Sequence, residues 1–145
     1  MRALIQRVST ASVEVKGEIV GAIGPGLLIF LGIKVGDGKK EAELLAKKVV
    51  GLRIFGDSDG KMNLSVLDKA GEILIISQFT LYGDTRKGRR PSFLDSAPPL
   101  VSEPLYNYFV NCVASYGMPV AKGVFGANMM VHLENNGPVT FIVDV

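Results

Sequence analysis

The run Ile73-Leu74-Ile75-Ile76 limits the fold more than any other stretch. It is unbroken, apolar and mostly β-branched, and too short for a globular helix. Such a run predicts a strand buried on both faces. The sequence then turns polar at Ser77, Gln78 and Thr80, with Phe79 and Leu81 interleaved. Polar groups at the end of a buried strand cost free energy unless something partners them. A ligand is one such partner, so Ser77 to Thr80 reads as the floor of a site. The alternative is a strand whose last residues simply reach solvent.

The rest of the chain supplies partners for that strand. Arg2 to Val8, Ala11 to Val15, Ile19 to Ile23 and Leu27 to Ile33 are strand-like, with a hairpin tip at Lys16-Gly17-Glu18. Lys39 to Gly51 predicts a helix with Ala42, Leu45, Val49 and Leu52 on one stripe, Asp37 as N-cap and Gly51 as its stop. Arg53 to Phe55 and Lys61 to Asp68 offer short strand pieces. Gly56-Asp57-Ser58-Asp59-Gly60 between them reads as a turn, because it lacks the remaining ligands of a calcium loop. Tyr82 to Ser102 is long and irregular, which marks a functional or mobile loop. A second helix is expected from about Ser102, with Leu105, Phe109, Cys112, Val113 and Tyr116 inward and Gly117 as its stop. Val120 to Lys122, Met129 to Leu133 and Val139 to Val145 complete the strands. The order predicts an α/β fold: a single layered β/β/α domain over residues 1–145, with mixed β-sheets and two main helices.

Composition excludes several classes. At 145 residues and 48% hydrophobic content, the chain should fold around a full core. No apolar run approaches the roughly 20 residues that span a bilayer, and the opening residues carry no secretory pattern. The single cysteine, Cys112, excludes an internal disulfide and suits a reducing, cytoplasmic setting. A net charge of +2 does not describe a generally basic nucleic-acid binder. Locally, Arg86, Lys87, Arg89 and Arg90 face one acid, Asp84. That loop reads either as a solvated surface or as a phosphate clamp, with Phe79, Tyr82 and Phe93 near enough in sequence to stack a base.

Catalytic side chains are scarce. One histidine, His132, and one cysteine make no metal-ligand set and no Ser-His-Asp or Cys-His arrangement, so neither metal nor cofactor is expected. His132 occupies an alternating strand position and reads as structural. Cys112 reads as packing. Thr80 could be a nucleophile, but no strong base is near it in sequence, which favours a strand or hydrogen-bonding role. Asn136-Gly137-Pro138 has two readings. Asn-Gly is a strong hairpin signal, and Gly-Pro could instead present its carbonyls to a ligand, with either peptide isomer open.

Two motifs together resemble a known family. Ser77-Gln78-Phe79-Thr80-Leu81 and Asn136-Gly137-Pro138-Val139-Thr140 are similar to the two signature motifs of the D-aminoacyl-tRNA deacylases. Met1 to Val8 with Ala11 to Val15, Gly88 to Phe93, and Gly123 to Met129 fall where that family has similar segments. Tyr82 and Asn128 depart from residues common there, away from both motifs. The resemblance implies a homodimer that hydrolyses the ester joining a D-amino acid, or glycine mischarged on tRNA-Ala, to the 3′-terminal adenosine. It implies a cis Gly137–Pro138 unit reaching into the partner subunit's pocket, holding the substrate ammonium and leaving no space for an L side chain. It implies Arg7 bracing that unit across the interface. Ser77, Gln78, Phe79 and Thr80 would line the pocket, with the backbone N–H near Phe79 facing the ester, and Phe125 and Met129 would enclose the adenine. An aminoacyl ester is already activated, so fixed backbone donors with a positioned water or the ribose hydroxyl could suffice. Two other readings remain: a non-enzymatic nucleic-acid-binding module using Arg86 to Arg90, and an amidase acting on free D-aminoacyl compounds.

Overall fold

The computed structural model describes Met1–Val145. In chain order the elements are β1 (Arg2–Val15), β2 (Glu18–Ile23), β3 (Gly26–Gly32), α1 (Lys39–Val50), β4 (Phe55–Gly56) and β5 (Met62–Leu64). They continue with β6 (Glu72–Ser77), a 3₁₀ turn at Phe79–Tyr82, α2 (Pro99–Ala114), β7 (Val120–Lys122) and β8 (Met130–Asp144). Six strands form one mixed sheet, and β4 with β5 makes a separate ribbon. β3, β6 and β7 are parallel, whereas β1 runs antiparallel to three neighbours. The first half of β1 pairs with β3 and its second half with β2, while β8 follows its other edge. One strand shared in this way curls the sheet almost into a barrel and brings β2 against β6 and β7. The α/β class with mixed strands and two main helices is therefore present.

The two-faced burial of the central strands explains the curl. Ile73 and Ile75 pack toward the helices, and Leu74 and Ile76 pack into the inside of the curl. Leu27 and Ile29 against Leu28 repeat the pattern on β3. A fully buried side chain of this size stabilises the fold by about 1.5–3 kcal/mol, so these runs have nowhere cheaper to go. No helix is long and apolar enough to cross a membrane.

Four local expectations change. First, β1 and β8 are each one long strand where two were expected, and the Asn-Gly step makes no hairpin. An unbroken β1 offers both halves of β8 a partner. The extra residues bulge out instead: between Gln6↔Thr140 and Val8↔Asn135, the single residue Arg7 faces Asn136 to Val139. Second, β6 stops at Ser77, and Phe79 to Tyr82 form a 3₁₀ turn instead of continuing the strand. Third, α2 starts at Pro99, whose fixed φ suits the first helical position. Ser102 does not cap it; its hydroxyl donates back to the Pro98 carbonyl at 3.1 Å. The buried face is Ser102, Tyr106, Phe109, Val110 and Val113, while Tyr116 is exposed. Fourth, Gly38 caps α1, with its N–H donating to the Glu41 carboxylate at 2.8 Å. Asp37 is occupied elsewhere, accepting from the Met1 ammonium at 2.8 Å and the Lys34 N–H at 2.6 Å.

Candidate active site

A cleft of about 620 Å³ opens at the carboxyl ends of the parallel strands β3 and β6, the usual place for a ligand in such sheets. Its floor is Ile76, Ser77, Gln78 and Phe79. The Gln78 N–H donates to the Leu31 carbonyl at 2.8 Å, which extends the β3–β6 ladder by one bond and fixes where the floor turns. Leu81 N–H then donates to the Gln78 carbonyl to open the 3₁₀ turn, so the amides of Phe79 and Thr80 have no acceptor inside it.

One wall is the segment before α2. Ala97 N–H donates to the Ile33 carbonyl at 2.9 Å and pins Ser96 to Pro99 beside the end of β3. Phe93 closes this side, its ring edge-on to Phe79 with centroids 5.0 Å apart. The opposite wall is the turn after β7, with Phe125, Asn128 and Met129. Phe125 leans on Tyr106, 5.8 Å between centroids. Tyr106 is buried, and its hydroxyl donates to the Ile75 carbonyl at 2.8 Å. Burial pushes that phenol up to about 12, so it stays a neutral donor. Gly123 also donates to the Ile75 carbonyl, at 3.0 Å. A Cβ on Gly123 would lie 2.6 Å from the Met129 sulfur and 3.1 Å from Ile76 Cδ1, so only glycine lets Met129 close this wall.

No lining residue carries an ionisable side chain. The cleft offers rings, aliphatic groups, hydroxyls, amides and backbone dipoles. It can stack and orient a small ligand, but it has no carboxylate for an ammonium group and no histidine for a proton. Nor does the chain gather three His, Cys, Asp or Glu side chains at any point.

Of the residues singled out in the sequence, Ser77, Gln78, Phe79, Phe125 and Met129 meet in this cleft. Thr80 does not line it. It is exposed on the turn, where its hydroxyl accepts a bond from Gln78 Nε2. Gly137 and Pro138 stand apart, exposed on the β8 bulge, with the peptide between them cis. That bulge is tied down from two directions. Arg7 Nε donates to the Asn136 carbonyl at 2.9 Å, and Arg7 Nη1 to the Ile54 carbonyl at 2.6 Å, all within one chain. Asn135 Nδ2 donates to the carbonyls of Arg7 and Val139, at 3.0 and 3.1 Å. The sequence reading missed Asn135 and Tyr106. A Tyr106 line would have shown as the i, i+4, i+7, i+11 series Ser102, Tyr106, Phe109, Val113; Asn135 gives no signal of its own.

The basic loop divides. Arg86 is taken by Asp84, Nε to Oδ1 at 2.9 Å and Nη2 to Oδ2 at 2.8 Å, which pulls the Asp84 carboxyl down to about 2. Lys87, Arg89 and Arg90 are exposed and make no ion pair. His132 is exposed on β8, with Nε2 4.0 Å from Glu14 Oε2 and outside the cleft.

Fold and cleft together define a class: a curled mixed sheet backed by two helices, with an uncharged recess of about 620 Å³ at its strand ends. Comparison narrows the class to a family. A family model described as D-Tyr-tRNA(Tyr) deacylase matches residues 4–144. The D-aminoacyl-tRNA deacylase of Thermosipho africanus (strain TCF52B) is 56% identical over 144 residues, 99% of this chain and 97% of that one. The D-aminoacyl-tRNA deacylase of Roseiflexus castenholzii (strain DSM 13941 / HLO8) is 58% identical over 144 residues, 99% and 92% of the two chains. A solved structure titled c-Myc DNA Unwinding Element Binding Protein superposes with a TM-score of 0.95 at 42% identity, covering 100% of this chain and 99% of its own. A probable eukaryotic D-amino acid tRNA deacylase shares the fold at 19% identity, with a TM-score of 0.85 over 99% and 98% of the chains. The chain belongs to the D-aminoacyl-tRNA deacylase family, a family of hydrolases.

Proposed function

We propose that the chain is a cytoplasmic homodimer that hydrolyses the ester of D-aminoacyl-tRNA, and of glycine mischarged on tRNA-Ala, releasing amino acid and tRNA. The observation that carries this reading is a cleft of about 620 Å³ at the strand ends, floored by Ser77, Gln78 and Phe79 and without one ionisable side chain. Phe125 and Met129 hold the terminal adenine. The Phe79 backbone N–H faces the ester carbonyl and takes the developing oxyanion. A water oxygen, positioned beside the ribose hydroxyl, bonds to the carbonyl carbon. The bond to the ribose oxygen breaks, and that oxygen receives the proton.

The ammonium group needs acceptors, and the cleft lining holds no carboxylate. The carbonyls of Gly137 and Pro138 supply them from a second copy, and the same rigid unit blocks an L side chain. Glycine, with no side chain to block, enters. Two facts support the shared site: the bulge is exposed yet braced, and β8 beside it exposes Met130, Leu133, Phe141 and Ile142. Exposed apolar side chains along an edge strand suit contact with another surface.

Incubation with matched D- and L-aminoacyl-tRNA tests the reading. Selective release from the D ester is expected; equal release from both, or none from either, refutes it. Thr80→Ala should hold kcat/KM within about threefold, because loss of a true nucleophile costs on the order of 10⁶-fold. A second reading, nucleic-acid binding without chemistry, has one observation in its favour: the 42% identical structure titled as a DNA unwinding element binding protein. It predicts salt-sensitive binding with no amino acid released.

A further inference from the structure

We propose that the loop from Thr85 to Pro91 is a second binding site, for phosphates of the tRNA 3′ strand just before the nucleotide in the cleft. This rests on the cleft taking the terminal aminoacyl-adenosine.

The loop has a built stem. Asp84 N–H donates to the Ser92 carbonyl at 2.8 Å, and Ser92 N–H returns a bond to Asp84 at 2.9 Å. Arg86 folds back on Asp84 through its backbone N–H and both ends of its guanidinium. The loop's one carboxylate is therefore consumed by one cation, and Asp95 adds to the field at Arg86. Gly88, at φ +74°, turns the tip as only glycine does easily. Lys87, Arg89 and Arg90 are left exposed and unpaired within four residues, a local excess in a chain whose net charge is only +2.

The stem also fixes where these charges stand. Ser92 leads directly into Phe93, which packs edge-on against Phe79 in the cleft wall. Arg90 is three residues away, at most about 11 Å along the chain. A strand that leaves the cleft past Phe93 must carry its next phosphates through the reach of these side chains. Guanidinium groups suit phosphate oxygens, and nothing here reads a base, so the site serves tRNAs irrespective of sequence.

The test uses the full chain with Lys87, Arg89 and Arg90 all changed to Gln, and two substrates. One is D-aminoacyl-tRNA; the other is the same D-amino acid esterified to adenosine alone. With tRNA, kcat/KM should fall about tenfold or more through KM, and the slope of log kcat/KM against log salt should shrink by about 2, near 0.7 per lost contact to a single strand. With the adenosine ester, kcat/KM should stay within about twofold, which also shows the cleft intact. Equal losses on both substrates, or no loss with tRNA, overturn the loop site while the cleft reading stands. If the unaltered protein cleaves neither substrate, the cleft reading itself has failed and this inference falls with it.

Discussion

The cleft and the bulge are opposites. The cleft is concave and lined by groups from β3, β6, the α2 approach and the turn after β7, yet it holds no charge. The bulge is convex and exposed, yet Arg7 and Asn135 give it three hydrogen bonds from 2.9 to 3.1 Å, and Arg7 is itself anchored to the Ile54 carbonyl. A solvent-facing loop without a task is rarely tied so firmly. The cleft has volume but no carboxylate for an ammonium group, and the bulge has ordered carbonyls without a cavity. Each lacks what the other has, and the proposed division of one site between two copies would join them.

The strongest way to break this comparison is Gly137→Ala. An added Cβ would lie 2.3 Å from Asn135 Oδ1 and 2.8 Å from the Val139 nitrogen, so the bulge must shift. Displacing a positioning group by about 1 Å can cost on the order of 100-fold in rate, and a loss of that size in kcat/KM for D-aminoacyl-tRNA is expected. The bulge is exposed, so unfolding free energy should change by no more than about 1 kcal/mol. Single-turnover deacylation and urea unfolding of the same sample separate the two. Should activity survive, the bulge is an ornament of β8 and the cleft works alone.

What could be read from residues alone differs between the two regions for a physical reason. Ser77, Gln78 and Phe79 were legible because a buried apolar strand turning polar is a local signal, and β6 does end there. The both-face burial of Ile73 to Ile76 followed from the same run. The bulge was not legible. Alternation looks the same on either side of Asn136, and Asn-Gly favours a hairpin in isolation. What decides is remote: β1 continues unbroken past Arg7, so β8 keeps its partner. On α2 the expected stripe holds for Phe109 and Val113, which are buried, and for Leu105 and Cys112, which pack half-buried on the core; Tyr116 is exposed and Tyr106 is buried instead. The helix is apolar on several sides, with Leu100 91% and Val101 46% exposed, so the series through Tyr106 competes with the one through Leu105 and Tyr116. The family motifs supplied Gly137, Pro138 and Arg7, which spacing alone would have left as a turn and a strand residue.

A smaller effect sharpens the cleft side. Gly123→Ala forces the Met129 thioether out of its contact 2.6 Å away, because Ile76 behind it is fixed in the core. Methionine is flexible enough to move, and because Met129 lines the cleft its displacement changes the wall. The expected result is a rise in KM of about three- to tenfold with kcat within about twofold, the pattern of a wall that binds ground and transition states alike. If kcat falls as far as kcat/KM, Met129 positions the reacting ester as well as enclosing its nucleoside.

The smallest effect tests whether that wall depends on the buried hydroxyl behind it. Tyr106→Phe removes the donor to the Ile75 carbonyl, but Gly123 still donates there, so no acceptor is stranded. The cost should be near that of one ordinary hydrogen bond, about 1 kcal/mol, seen as a drop of roughly 3 °C in Tm at fixed protein concentration. The ring stays against Phe125, so kcat/KM should change less than about twofold. A deacylation defect larger than the stability loss would mean that the hydroxyl sets the aim of Phe125, and that the geometry of the cleft depends on the core behind it.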